Sequence, residues 1–258
     1  MRPRILVRPP SPRLASGELT HLDRAPVDVG LAVQQWQGYV EAFRANGWLV
    51  TELEPADEHP DGVFVEDTLV IFDDLAVLTN PGARTRVGEV ASTQEGLASL
   101  VTGGLPLEVA RIEPPGRLDG GDVLKVGRVA YVGRSSRTDA EGIAQLRKLI
   151  EPRGWTVKAV PVTRALHLKS AVTALPDGTI IGWPPNVDDP EAFPRFHAVP
   201  EEHGTAVVDL NGDRILVSAD APRTAELLAA RGLAVTQVPM SEFEKLEGCV
   251  TCLSVRFR

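Results

Sequence analysis

Cysteine is scarce in this chain: Cys249 and Cys252 are the only two among 258 residues. Two thiols this close in sequence cannot staple a small secreted scaffold, so a disulfide framework is excluded and a reducing cytoplasm is the expected compartment. Positive charge is not in excess either, with 27 Lys and Arg against 35 Asp and Glu and a formal net charge of −8. A nucleic-acid binder carries a basic stripe; none is found, and no nucleic-acid partner is expected. No apolar window approaches the length of a membrane-spanning helix, and the Met-Arg-Pro-Arg start lacks the apolar core of a signal peptide. No membrane partner is expected.

What is present is ordinary in amount, with 43% hydrophobic and 24% charged residues, as in a globular protein able to bury a full core. The acidic balance suits a cationic small-molecule substrate. The informative pattern is an internal repeat: an apolar strand, a tight polar turn, a second apolar strand and often a helix. The sequence predicts strands at 63–72 and 75–79 with a helix near 86–101, then strands at 122–126 and 129–132 with a helix at 139–150. A third copy pairs 171–175 with 179–182, and a fourth pairs 205–210 with 214–218 ahead of a helix near 223–231. Asn211-Gly212 and Asp177-Gly178 are hairpin turns by composition. Thr138 to Glu141 reads as a capping box, and Ala32, Trp36, Tyr39 and Phe43 mark one face of an earlier helix. The third copy lacks a helix, and 184–204 reads as a Pro-rich loop. A fifth hairpin is supplied by the termini, 5–7 pairing with 252–257. Five copies that must bury each other's apolar faces predict a closed ring. No linker divides the chain, so 1–258 is read as a single domain.

The chemistry-bearing residues sit at equivalent places in this repeat. His167, in Arg-Ala-Leu-His-Leu-Lys-Ser, stands just before the third hairpin; a structural histidine between two leucines is the alternative. Asp119-Gly-Gly-Asp122 precedes the second hairpin and reads alone as a glycine turn with a capping carboxylate. Glu66 and Asp67 lie within an apolar run read as a strand. Adjacent strand residues face opposite ways, so one of the two points inward and needs a partner or a cationic ligand. Arg86 and Arg137 follow second strands and suit bidentate binding of a carboxylate, or are solvated helix-start charges. Cys249-Val-Thr-Cys252 runs into a strand-like segment rather than opening a helix, which argues against a redox motif. Strand alternation would put the two cysteines on opposite faces, leaving one to react and the other to pack. Gathered at the ring axis, Cys252, His167, Asp119 and the Glu66–Asp67 pair would combine a thiol, an imidazole and three carboxylates. Carboxylates near a strand-borne cysteine favour the thiol over the thiolate.

Five runs together resemble the dimethylarginine dimethylaminohydrolases of the guanidine-modifying, or pentein, superfamily. They are Phe-Val-Glu66-Asp67, Arg-Leu-Asp119-Gly-Gly-Asp122-Val-Leu, Val-Gly-Arg-Ser-Ser-Arg137-Thr, Leu-His167-Leu-Lys-Ser and Glu-Lys-Leu-Glu-Gly-Cys-Val-Thr-Cys252. They occur in family order across nearly the whole chain. The resemblance implies an α/β fold, a five-bladed α/β propeller of pseudo-symmetric ββαβ units closed by the N- and C-terminal strands. It implies hydrolysis of Nω-methylated arginines to citrulline and dimethylamine or methylamine, with no cofactor and no metal. Cys252 is then the nucleophile, His167 the general acid and later base, and Asp119 the third catalytic residue, where bacterial members often have Glu. Glu66 and Asp67 are implied to hold the guanidinium and Asp61 to contact substrate. Arg86 and Arg137 are implied to clamp the amino-acid carboxylate, Leu19 to cover the substrate from a lid, and Leu246 to offer a backbone carbonyl. Cys249 matches no catalytic position. The rival readings are an arginine deiminase, for whose helical insertion there is no room, an amidinotransferase, and a non-catalytic binding protein of the same fold. A homodimer is left open.

Overall fold

Each unit of this chain turns back on itself once and then sends its chain around to lie parallel to the strand just made. A computed structural model describes this for residues 2–258. β1 (Arg4–Val7) leads through α1 (Val29–Ala45) to β2 (Leu49–Glu52), which lies parallel to β1. β3 (Leu69–Phe72) and β4 (Leu75–Leu78) form a hairpin, and α2 (Glu89–Thr102) carries the chain to β5 (Glu108–Arg111), parallel to β4. β6 (Val123–Val126), β7 (Val129–Arg134), α3 (Ala140–Ile150) and β8 (Thr156–Pro161) repeat the pattern. The one-turn α4 (Leu168–Ala171) precedes β9 (Val172–Ala174), β10 (Ile180–Gly182) and β11 (Phe196–Ala198). Then follow β12 (Val207–Asn211), β13 (Arg214–Ser218), α5 (Pro222–Ala230) and β14 (Ala234–Val238). The short α6 (Ser241–Glu244) leads to β15 (Val255–Phe257), which pairs antiparallel with β1. The result is five three-stranded sheets, one of them completed by the two ends of the chain.

Four expectations are corrected. Residues 65–68 are a 3-10 turn rather than part of a strand: the Thr68 hydroxyl donates to the Val65 carbonyl at 2.8 Å, a local bond that competes with ladder pairing. Glu66 and Asp67 are both buried as a result, with no alternation between them. The last strand begins at Val255, so Cys252 lies on the turn before it and Cys249 is not opposed to it. Asp139, not Thr138, caps α3 by accepting from the Gly142 amide at 2.9 Å. Finally, 184–204 is not wholly loop: two 3-10 turns begun by prolines replace the helix, and β11 still completes the sheet.

The core is divided among the units, and its largest cluster gathers α1, the chain ends and β12–β13. Phe43 and Tyr39 are fully buried on α1, and Phe43 meets Trp48 edge to face at 5.3 Å. Each such side chain contributes about 1.5–3 kcal/mol by burial. Tyr39 also ties this helix to the turn carrying Cys252. Its hydroxyl donates to the Val250 carbonyl at 2.8 Å and accepts from Ser254 at 2.6 Å.

Replacing Tyr39 with Phe leaves that buried carbonyl unpaired. The change is expected to cost about 1–2 kcal/mol in urea unfolding with an unchanged m-value. It should also lower turnover by loosening the Cys252 turn. Unchanged stability and turnover would refute the tie.

Candidate active site

The predicted residues arrive on segments that enter the first strands of different units. Asp61 and Asp67 precede β3, Asp119 precedes β6, His167 precedes α4 and β9, and Cys252 precedes β15. Asp61, Asp67, Arg86, Arg137, His167, Leu246 and Cys252 line one narrow cavity of about 20 Å³. Its walls are completed by Glu18, Phe64, Leu166, Glu247 and Gly248. An open recess of about 710 Å³ beside Thr20 and Arg134 is larger but does not gather these groups. As it stands the site has room for about one water.

Asp119 sits behind His167 rather than in the cavity wall. Its Oδ2 is 2.9 Å from His167 Nε2, and its Oδ1 accepts from the Gly82 amide at 2.7 Å. His167 Nδ1 lies 3.8 Å from Asp67 Oδ1. Burial opposes a charged imidazole, but Asp67, the Asp119 hydrogen bond and Asp122 outweigh it and push His167 up to about 9. Asp122 is itself buried; it accepts from the Leu168 amide at 2.9 Å and so fixes the residue next to His167. The glycines between the two aspartates have a stronger reason than a turn. A Cβ on Gly121 would fall 2.7 Å from both His167 Nδ1 and Asp67 Oδ1, so only glycine lets that backbone approach.

Asp67 accepts from Arg86 Nη1 at 2.5 Å and from the Gly121 amide at 2.9 Å. Although burial opposes its charge, His167 and Arg86 bring it down to about 2. Arg86 is buried and committed elsewhere too: Nε and Nη2 reach Glu89, and Nη2 also reaches the Phe64 carbonyl. One Nη1 hydrogen has no partner among these bonds. Arg137 is freer, with Nη2 2.9 Å from the Thr20 hydroxyl and 3.6 Å from Glu18. Asp61 accepts from the Glu18 amide at 3.0 Å, and burial raises its pKa. Asp67, Asp119 and His167 each place a ligand atom within 4.8 Å of the others, the one such set among the described residues. The Arg86 cation resting on Asp67 argues against a metal ion there, because it already occupies the position of positive charge.

Glu66 is not in the wall of this cavity. It accepts from Thr251 at 3.0 Å, pairs with Lys169 at 2.8 Å and with Arg256 at 2.9 Å, and faces a separate cavity of about 370 Å³. It lies beneath the site, and its amide donates to the Cys252 carbonyl at 3.2 Å. Leu19 also lies outside the wall, half-buried against the main core cluster.

The cysteines stand together. The Cys252 amide bonds the Cys249 carbonyl at 3.0 Å, closing a turn that brings the two sulfurs to 3.2 Å. The hydrogen bond to Cys249, burial, and the charges of Glu66 and Asp67 hold Cys252 as the thiol, well above its usual range. Sequence reasoning missed this contact, and missed Glu89, Lys169, Arg256 and Glu247 as partners of site residues. Lys169 is two residues from His167, and Glu89 is three from Arg86, so spacing offered a signal for both. Glu247 offered none. Its carboxylate takes the amides of Thr20, His21 and Leu22, latching the segment around Leu19 from more than two hundred residues away. Glu247 adopts φ 60, a left-handed conformation rarely taken by a side-chain-bearing residue.

The search of family models found no match. An N(G),N(G)-dimethylarginine dimethylaminohydrolase of Streptomyces coelicolor is 56% identical over 253 residues, covering 98% of this chain and 96% of that protein. An enzyme of the same name from Pseudomonas aeruginosa is 34% identical over 98% of both chains. The solved structure of a cysteine-to-serine mutant of the Pseudomonas aeruginosa enzyme, complexed with citrulline, superposes with a TM-score of 0.90 over the full length of both chains at 33% identity. The N-terminal domain of the cyanobacterial arginine dihydrolase ArgZ has a TM-score of 0.86 at 22% identity and shares the fold.

The His167 ring is expected to titrate near pH 9 by NMR in the native protein, and lower in Asp119→Asn. A raised histidine pKa means stabilisation that is complete below about pH 6.5 and lost as pH rises through about 9. The stability gap between the native protein and Asp119→Asn should therefore narrow across that window. Identical titration in both proteins would contradict the assignment.

Proposed function

The chain belongs to the dimethylarginine dimethylaminohydrolase family, and from that premise we propose that it hydrolyses Nω-methylated arginines to citrulline and dimethylamine or methylamine. The observation that carries this reading is that Cys252 and a His167 held protonated line the same narrow cavity, with Asp61 and Asp67 in its wall. We take residues 1–258 as one catalytic domain and the five sheets as blades around one axis, supported by the pairing of β1 with β15. A cytoplasmic location is proposed with it.

A guanidinium with a pKa above about 12 stays charged, and its carbon is a poor electrophile in water. Asp67 and Asp61 fix the cation and align its carbon, with Glu66 adding negative charge from below. Arg137, and the remaining Nη1 hydrogen of Arg86, bind the amino-acid carboxylate. Leu19 covers the substrate through its backbone, and Leu246 contributes its carbonyl. The positive charge of the substrate favours the thiolate, the Cys252 proton leaves to solvent, and the sulfur adds to the guanidinium carbon. His167 gives its proton to the departing methylated nitrogen as the C–N bond breaks, leaving a thiouronium on Cys252. The now neutral His167 takes a proton from water. The resulting hydroxide adds to the same carbon, the C–S bond breaks, the hydroxyl proton passes to the sulfur to restore the thiol, and citrulline leaves. Asp119 holds the imidazole in place and steadies its charge through both halves.

Purified protein is expected to release citrulline from asymmetric dimethylarginine, and more slowly, if at all, from arginine. Cys252→Ala should retain the fold by circular dichroism and lose turnover entirely. Citrulline release by Cys252→Ala would overturn the mechanism, and transfer of the amidino group to an added amine would overturn the reaction class.

A further inference from the structure

Cys249 is a nucleophilic group that the reaction above does not use, and besides packing against the main core cluster it reaches a second cavity. It is half-buried and lines that cavity, of about 110 Å³, together with His21, His203, Ser218 and Glu244. Cys252 instead lines the catalytic cavity. The two sulfurs therefore stand in the partition between two cavities, 3.2 Å apart. The turn from Cys249 to Cys252 is already closed by its own backbone bond, and the Cys249 amide points at Cys252 Sγ at 3.3 Å. A disulfide needs the sulfurs at about 2.05 Å, a closure of roughly one ångström from where they stand.

We propose that Cys249 is an oxidation site that takes a hydroperoxide from the second cavity and closes a reversible disulfide onto Cys252, withdrawing the nucleophile from catalysis. The Cys249 thiolate attacks one peroxide oxygen: an S–O bond forms, the O–O bond breaks and the other oxygen leaves as hydroxide or alkoxide, which takes a proton from solvent to become water or an alcohol. Cys249 becomes a sulfenic acid, oxidised by two electrons while the hydroperoxide is reduced. The Cys252 sulfur then attacks the Cys249 sulfur, the S–O bond breaks, and the released hydroxide leaves as water with the Cys252 proton. A dithiol reductant reverses the change by exchange. Electrostatics supports the assignment of roles. The hydrogen bond from Cys252 overcomes the burial that opposes ionisation, Thr251 adds its own at 3.2 Å, and Cys249 comes down to about 7, while Cys252 is held as the thiol. Near neutral pH the sulfur facing the second cavity is the one carrying thiolate, the form that reacts with peroxides. These are the only two cysteines in the chain, so an intramolecular disulfide has no other form.

The test treats native protein with a slight excess of hydrogen peroxide, alkylates free thiols and digests with trypsin. Cleavage after Lys245 and Arg256 puts both cysteines on one peptide, residues 246–256. The expected result is a peptide two hydrogens lighter with neither cysteine alkylated, and citrulline formation that disappears with oxidation and returns with dithiothreitol. Measured against its own untreated activity, Cys249→Ser should be inactivated about tenfold more slowly than the native protein, the ratio expected when a half-ionised thiol is replaced by one that is mostly protonated. In Cys252→Ser, dimedone should label Cys249. Peroxide inactivation of Cys249→Ser at the native rate, sulfinic acid on Cys252 with Cys249 still alkylated, or no oxidation of either thiol would each overturn the proposal. The peptide mass is read without turnover, so the outcome is independent of whether the substrate has been identified correctly.

Discussion

Four carboxylates, those of Asp61, Glu66, Asp67 and Asp119, are buried around one small site, and the need to satisfy them shapes everything near it. Removing one partner from a buried ion pair costs about 3–5 kcal/mol, because the remaining charge keeps its desolvation penalty. Three of these carboxylates have partners drawn from more than one unit of the fold. Asp119 has the Gly82 amide and His167, Asp67 has Arg86 and Gly121, and Glu66 has Thr251, Lys169 and Arg256. Asp61 has the Glu18 amide, a partner that belongs to the segment over the site. The sheets place these groups; the carboxylates hold the sheets' entry segments in register with one another.

The same charges divide the roles of the two reacting side chains. Negative charge beside an imidazole favours its cation, and beside a thiol it disfavours the thiolate. His167 is therefore held as the cation and Cys252 as the thiol. In the proposed mechanism, a guanidinium entering between Asp61 and Asp67 favours the thiolate and leaves the histidine able to act. The segment that carries Leu19 is tied to the same groups, because Asp61 and Glu247 both accept its backbone amides.

Much of this fold was legible because its signals are local. Asn211-Gly212 adopts left-handed φ values of 101 and 68 in the hairpin where composition placed it, and the α1 face of Ala32, Trp36, Tyr39 and Phe43 is buried as the spacing predicts. The pairing of the chain ends followed from counting hairpins. The parts that were not legible depend on contacts between distant segments. Strand periodicity assigned Glu66 and Asp67 to opposite faces, but a 3-10 turn buries both, and their partners then send them to different cavities. The same periodicity separated Cys249 from Cys252, whereas a turn brings the sulfurs together. Gly121 reads as a turn residue until His167 and Asp67 arrive from elsewhere in the chain and leave no space for a Cβ.

The central claim is that the Cys249 hydrogen bond, burial and the nearby carboxylates together keep Cys252 protonated until a cation enters the site. A Cys249→Ser background removes the first of these, so its thiolate absorbance reports what burial and the carboxylates do to Cys252, and ethylguanidinium serves as a cation that cannot be turned over to citrulline. The account predicts that absorbance without ligand appears only above the ordinary thiol range of about 8.5, and moves to lower pH with ethylguanidinium bound. An apparent pKa below 7 in the free protein, or one that the cation does not move, would contradict it.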